Sequence, residues 1–452
     1  MINLSKIIEN IPINKVAIIT PTREITYSDL LKLKKENEKN INAINGMNVS
    51  IRTNNRLDFV MLLVLLDGSV KNMLIMPPEL DIEVCKRYFQ EANINCMAFL
   101  EFEKLEYRYI NENTYDTKTD NDFNIKNNIY ETSWIIPTSG TTNIPKLVSH
   151  TLMSLTRTTK IDIESGSKFR WGLLYDIYRF AGLQVFLQSI MSGGTLIIPD
   201  QNFYLKDTIN FFIEKKCNAL SATPSFWRKI LMLPESDFLK LDIVTLGGEI
   251  ADEFILQALV KKFPNAKITH IYASTEAGVG FSVKDGRAGF PLTFLTDGVN
   301  GIKLKISDKK TLMIKPEKRI QKYIGNYNLY ENDGYIDTGD IVEIKDDRVY
   351  FLGRDSGSIN VGGNKVHPEE VEQVLLSSNL IFAAYVYAKK NPILGNIVCA
   401  DVVLKDKNAD KEKVKLEILK FCRKKLENFK VPAILNFVED LEITQSGKLR
   451  RN

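Results

Sequence analysis

The chain has 452 residues, of which 44% are hydrophobic, with 60 basic and 56 acidic side chains giving a net charge of +4. That length exceeds one ordinary core and predicts two to four domains, and the composition is that of a soluble globular protein. No run of five or six like charges marks a nucleic-acid-binding tail, and the longest apolar run, Phe59 to Leu66, falls far short of the roughly 20 residues that span a bilayer.

The start of the chain, Met1-Ile-Asn-Leu-Ser-Lys6, has no basic flank, apolar stretch or small-residue cleavage site, so a cytoplasmic location is expected. Cys85, Cys96, Cys217, Cys399 and Cys422 are odd in number and nowhere at Cys-x-x-Cys spacing, which predicts free and mostly buried thiols. His150, His270 and His367 lie about 100 residues apart and share no helix face, so a zinc site is not expected.

In chain order, Val16-Ala-Ile-Ile19, Asn48-Val-Ser-Ile51, Asn72-Met-Leu-Ile-Met76 and Ser133-Trp-Ile-Ile136 read as buried strands. So do Thr195-Leu-Ile-Ile198, Ile243-Val-Thr-Leu246 and Lys267-Ile-Thr-His-Ile-Tyr272, with amphipathic helices between several of them. This alternation predicts an α/β fold of layered sheets. From about Asn300 the texture becomes antiparallel: Gly301 to Ile306, Thr311 to Lys315 and Arg348 to Leu352 alternate apolar and polar residues between turns, as in a small sheet or barrel. A helix from Pro368, a strand pair around Ala383 and Val398 and a charged helix from about Asp410 to Asn428 predict a small, mobile α+β C-terminal domain. The glycines and serines at 353–357 place a hinge there, between domains at 1–352 and 358–452.

The segment most telling of chemistry is Trp134-Ile-Ile-Pro-Thr138-Ser139-Gly140-Thr141-Thr142-Asn143-Ile-Pro145-Lys146. A strand runs into a loop whose amides and hydroxyls suit phosphate oxygens, followed by an ammonium to offset their charge. It is not a Walker A loop, and read alone it is as readily a hydroxyl-rich solvent loop.

This loop resembles the phosphate loop of the adenylate-forming superfamily, which includes acyl-CoA and aryl-CoA synthetases, peptide-synthetase adenylation domains and luciferase. Further segments resemble that family's motifs in order: Gly247-Gly248-Glu249; Tyr272-Ala-Ser-Thr275-Glu276; Tyr335-Ile-Asp-Thr338-Gly-Asp340; Gly353-Arg354 through Gly363 with Pro368-Glu-Glu-Val-Glu372; and Ser446-Gly447-Lys448. The resemblance covers nearly the whole chain, including Ile25-Thr-Tyr-Ser-Asp-Leu30 near its start.

The resemblance implies an ATP-dependent ligase that activates a small carboxylic acid as acyl-AMP with Mg²⁺ and passes it to the thiol of coenzyme A or of carrier-protein phosphopantetheine. In that reading Thr138 to Thr142 and Lys146 hold the β- and γ-phosphates, Glu276 ligates Mg²⁺ and Thr275 touches the α-phosphate. Tyr272 stacks on adenine beside Gly247, Gly248 and Glu249. Asp340 and Arg354 take the ribose, and Lys448 is the catalytic lysine between carboxylate and α-phosphate. Tyr175, Arg179, Phe180, Gly182, Ser221, Thr223 and Ala277 form the acid pocket, which suits a short, hydroxylated or aromatic acid. Arg179 either meets a substrate group or pairs with Asp176.

The basic clusters Arg423-Lys-Lys425 and Arg450-Arg451 suit either an acidic acyl carrier protein, a second partner under this reading, or a plain solvated helix face, the commoner origin of such clusters. The chain stops four residues after Lys448, so a stand-alone enzyme is expected. Asn143 and Ala273 replace family glycines, while Ser356 and Asn360 stand where the hinge has Asp and Lys. Two rivals remain: an acyl-AMP former serving an amine or hydroxyl, and an inactive nucleotide-binding scaffold. An NAD-dependent oxidoreductase fails because no Gly-x-Gly-x-x-Gly follows a strand.

Overall fold

The computed structural model describes the whole chain except residues 1, 111–116, 119–127, 139–145, 160, 317–321, 326–327, 393, 443–448 and 450–452. Among the described residues the strands form four sheets. In the first, Val16–Ile19, Thr195–Ile197, Arg170–Leu173, Ala219–Ala222, Ile243–Gly247 and Lys267–Ser274 run parallel, edged by the antiparallel strands Glu24–Thr26 and Gly278–Val283. The second has a parallel centre of Cys96–Glu101, Asn48–Ile51, Asn72–Ile75 and Ser133–Pro137, with Leu147–Thr151 and Lys322–Tyr323 added antiparallel on one side. The layered α/β architecture expected from the alternation of elements is present.

The seven strands expected before residue 300 all form, and Arg170–Leu173 and Ala219–Ala222 join them. Those two carry Gly172 and Ser221 instead of a branched apolar run. A Cβ on Gly172 would come within 2.7 Å of Leu220 Cδ1, so crowding between adjacent strands selects the glycine that breaks the sequence signal. The run Phe59 to Leu66 lies in the helix Arg56–Leu66, whose residues from Leu57 onward are buried except Asp58. A helix apolar on every side must be enclosed. Its side chains share one core with strands of both large sheets and with the helix Phe180–Met191.

The third sheet is antiparallel, in the order Phe290–Pro291, Arg348–Arg354, Ile336–Lys345, Thr311–Pro316, Ile302–Ile306. Strand pairing changes partner after Arg354: a short turn at Asp355–Gly357 leads to Ile359–Val361, which belongs to the fourth sheet. That sheet pairs Ile381–Asn391 with Gly395–Leu404 and packs beneath the helices Pro368–Leu376 and Lys411–Lys425 around its own core. All five cysteines are buried free thiols. Among the described residues no helix is long and apolar enough to cross a membrane.

Candidate active site

The parallel strands of the first sheet end at one edge, and the motif residues emerge there. Tyr175 and Asp176 follow Arg170–Leu173; Ser221 is the last residue but one of Ala219–Ala222; Gly248 and Glu249 follow Ile243–Gly247; Thr275 and Glu276 follow Lys267–Ser274. In parallel α/β sheets the carboxyl ends of the strands open into a crevice, because each chain must leave the sheet there for its crossover. The crevice here has a volume of about 1520 Å³ and is lined by all of these residues together with Thr138, Arg179, Phe180, Tyr272, Asp340 and Arg354.

Gly248 sits at φ +83°, a left-handed conformation that glycine adopts without a Cβ penalty, and turns the chain toward Glu249. Beside it, the Tyr175 hydroxyl donates to the Gly247 carbonyl at 3.0 Å. Burial, then the charge of Glu249, hold the Tyr175 phenol far above its ordinary value, so it remains a donor.

Tyr272 donates its phenolic hydrogen to Asp340, raised well above the usual tyrosine range by burial first and by the Asp340 charge next. Asp340 is fixed from the other side by Arg354 Nε at 3.0 Å, across the strand register that opposes the two residues. The Tyr272 ring stacks with Phe281 at 5.2 Å and with Phe351 at 5.0 Å between centroids, nearly parallel in both cases.

Thr275 is held by a residue that the motifs did not mark. The buried His150 ring makes a 2.7 Å hydrogen bond through Nε2 to the Thr275 carbonyl. A carbonyl only accepts, so Nε2 carries the hydrogen. Burial depresses the His150 pKa to about 4, which keeps the ring neutral in that role.

Lys146 follows residues 139–145, which lie outside the described residues. Its amide donates to Thr138 Oγ1 at 3.1 Å, and its ammonium lies 4.9 Å from the Tyr323 ring centre. Burial, followed by the charge of Glu276, pushes the Tyr323 phenol up to about 12. Tyr323 reaches this place because Lys322–Tyr323 pairs with Leu147–Thr151; a two-residue strand leaves no periodicity to read.

Arg179, expected in the acid pocket, pairs with Glu79 and lies 3.6 Å from Asp176, which realises the structural alternative and adds a partner 100 residues away. Three residues expected in that pocket are placed elsewhere. Gly182 packs inside its helix, where a Cβ would lie 2.1 Å from the Asp176 carbonyl oxygen. Thr223 is fully buried and caps the helix Pro224–Met232 by accepting from the Phe226 amide at 3.1 Å. Ala277 is buried in the core of the third sheet. Ser139, Gly140, Thr141, Thr142 and Lys448 lie outside the described residues, though Leu449, next after Lys448, donates its amide to Glu249 at 2.8 Å.

Residues 69–319, more than half of the chain, match the family model for an AMP-binding enzyme, and residues 370–448 match the model for the AMP-binding enzyme C-terminal domain. The chain belongs to the AMP-binding enzyme family. A 2-succinylbenzoate–CoA ligase of Bacillus licheniformis is 26% identical over 70% of this chain and 68% of its own length. A D-alanine–D-alanyl carrier protein ligase of Staphylococcus aureus is 27% identical over 73% and 72%. Other curated relatives are spanned over as little as 55% of their length. The fold matches that of the anthranilate CoA ligase AuaEII in complex with anthranoyl-AMP, with a TM-score of 0.77 over 99% of this chain and 95% of that one, at 16% identity.

Proposed function

We propose that this AMP-binding enzyme is an acid–thiol ligase, joining a carboxylic acid to ATP as acyl-AMP with release of pyrophosphate and then passing the acyl group to a thiol with release of AMP. The observation that carries the reading is convergence: motif segments from Thr138 to Leu449 meet on one cleft, and its relatives are ligases of coenzyme A or of a carrier protein.

In this reading the substrate carboxylate oxygen attacks the α-phosphorus of ATP and the pyrophosphate leaves. Two anions must approach, so charge compensation dominates the barrier. Lys146 and the 138–142 loop take the β- and γ-phosphates; Lys448 meets the α-phosphate and the attacking carboxylate. Glu276 and Thr138 present a carboxylate and a hydroxyl to the cleft, which fits Mg²⁺, an ion usually bound through one or two carboxylates plus substrate phosphates. When bound, the ion would offset phosphate charge. Asp340, oriented by Tyr272 and Arg354, offers acceptors to the ribose diol, and adenine joins an aromatic group already built from Tyr272, Phe281 and Phe351.

Glu79 and Asp176 together outweigh the single charge of Arg179. A second substrate carboxylate would have to displace one of them, so the acid carries a single carboxylate. The thiol is that of coenzyme A or a carrier protein. The site of action is the cytoplasm, a compartment in which five free thiols stay reduced.

Pyrophosphate release with Mg·ATP and a panel of hydroxylated, aromatic, dicarboxylic and long-chain acids, with and without coenzyme A, tests this. Acid-dependent release that rises with the thiol supports it. Release unaffected by any thiol, with transfer to an amine or hydroxyl, would contradict the thiol step; no release alongside ATP binding would favour an inactive scaffold.

A further inference from the structure

The cleft, at about 1520 Å³, exceeds the roughly 300–1,000 Å³ of a site for one small ligand, so it has room beyond a nucleotide. That room runs along the first sheet. Side chains of a strand alternate between faces, and the register sets Ser221, Thr245 and Thr269 abreast on one of them. Two residues nearer the amino ends of the strands, the same face carries Trp171, Ile243 and Lys267; two nearer the carboxyl ends, it carries Gly247 and Ile271. All eight line the cleft, whereas Val244, Leu246 and Ile268 on the opposite face are packed into a core.

The helix Phe180–Met191 forms the facing wall. It leaves the carboxyl end of Arg170–Leu173 and runs back toward the amino ends of the strands. Ala181, Gln184, Val185 and Gln188 line the cleft at the i, i+3, i+4, i+7 spacing of one helix face. From Gly247 to Ile243 the strand advances about 13 Å, and from Ala181 to Gln188 the helix advances about 10 Å. Beyond that depth the lining turns to the exposed charges of Lys168, Asp242 and Lys267.

The middle of this space is polar. Ser221 is 6% exposed, and Thr245 and Thr269 are 9% exposed each. None of the three hydroxyls has a hydrogen-bond partner among the described residues. Buried hydroxyls are as a rule hydrogen-bonded, and these three can donate or accept.

We propose that this space is an acyl channel for an elongated acid with a single carboxylate and a hydroxyl, keto or amide oxygen near the middle of its chain. An extended chain with bonds near 1.5 Å advances about 1.3 Å per carbon, so the channel takes about eight to ten carbons before reaching the charged rim. That is a longer acid than the short one expected from the sequence. The proposal deepens the ligase reading and rests on it for the carboxylate end.

The test is calorimetric binding, alongside pyrophosphate release with Mg·ATP, for straight-chain acids from acetate to myristate and their mid-chain hydroxy and keto analogues. Wild type, Thr269→Val and Gln188→Trp are compared. The channel predicts a Kd at least about tenfold lower for acids of about eight to ten carbons than for acetate. It predicts a further gain of about threefold to tenfold from the mid-chain oxygen, the weight of one hydrogen bond, largely lost in Thr269→Val. Gln188→Trp fills the space from the helix side and should move the optimum to shorter acids. Tightest binding of acetate by wild type would overturn the proposal, as would a mid-chain oxygen that brings wild type no gain. A length profile unchanged in a folded Gln188→Trp would overturn it too; were that variant not to fold, the wild-type series and Thr269→Val decide. Length-dependent binding without pyrophosphate release would contradict the proposed function and leave the channel standing. Release confined to acetate-sized acids would do the reverse.

Discussion

Tyr272 and Asp340, 68 residues apart, are joined by a hydrogen bond from phenol to carboxylate, and Arg354 grips the same carboxylate at 3.0 Å. The first residue lies near the end of a strand of the large sheet, Lys267–Ser274, and the other two face each other in the antiparallel sheet. The trio thus ties two sheets together at the wall of the cleft, so substitutions here should move stability and nucleotide binding together.

Asp340→Ala leaves the Tyr272 hydroxyl and Arg354 without their shared acceptor, at a cost of about 1–3 kcal/mol. Urea unfolding should show a loss of that size, and the KM for ATP should rise at least tenfold under the proposed ribose role. Tyr272→Phe removes one donor and keeps the ring stack, so its KM effect should be smaller. An equal KM effect would place the nucleotide contact on the phenol instead.

His150 gives a pH dependence of defined sign. Its folded pKa of about 4 lies below the usual 6.5 because burial disfavours the imidazolium. Between those values the unfolded chain binds the extra proton, so stability is complete above about pH 6.5 and falls as the pH drops toward 4, by up to about 3 kcal/mol. Urea titrations across this range should show the decline, and His150→Gln should flatten it. A decline of the same slope in the variant would assign it to other groups.

Tyr323 stands between Lys146 and the field of Glu276. Tyr323→Leu removes the ring beneath the ammonium, a contact of about 0.5–2 kcal/mol. The KM for Mg·ATP should rise by severalfold to about tenfold, while Tyr323→Phe, which keeps the ring, stays near wild type.

Gly182 was expected in the acid pocket and instead allows its helix to pack against the 176–177 backbone. A methyl group 2.1 Å from a carbonyl oxygen forces the helix outward, and such overpacking costs about 1–3 kcal/mol. Gly182→Ala should lower the thermal midpoint; a stabilised variant would mean that the helix has slack.

The layered sheets were legible because buried parallel strands write continuous apolar runs, as at Asn72–Ile75 and Ser133–Pro137. Gly248, Glu249, Thr275 and Glu276 were legible because each lies just past such a strand, where local sequence and position in space coincide. What escaped depends on contacts between distant segments. His150 meets Thr275 across 125 residues and Glu79 meets Arg179 across 100, and no local spacing encodes either pair. Phe351 lies in a strand expected from its alternating pattern alone; only the packing of Arg348–Arg354 beside Tyr272 brings its ring to the cleft. Ala277 lies beside the motif residue Glu276 in sequence and Thr223 two residues after Ser221, but Thr223 turns inward to cap a helix and Ala277 enters a core.

The most direct measurement is isotope transfer from an ¹⁸O-labelled carboxylate of the acid that supports pyrophosphate release. Attack on the α-phosphorus predicts AMP carrying one ¹⁸O after the acyl group has left. Unlabelled AMP, with the label instead in inorganic phosphate or pyrophosphate, would contradict adenylation and with it the proposed function.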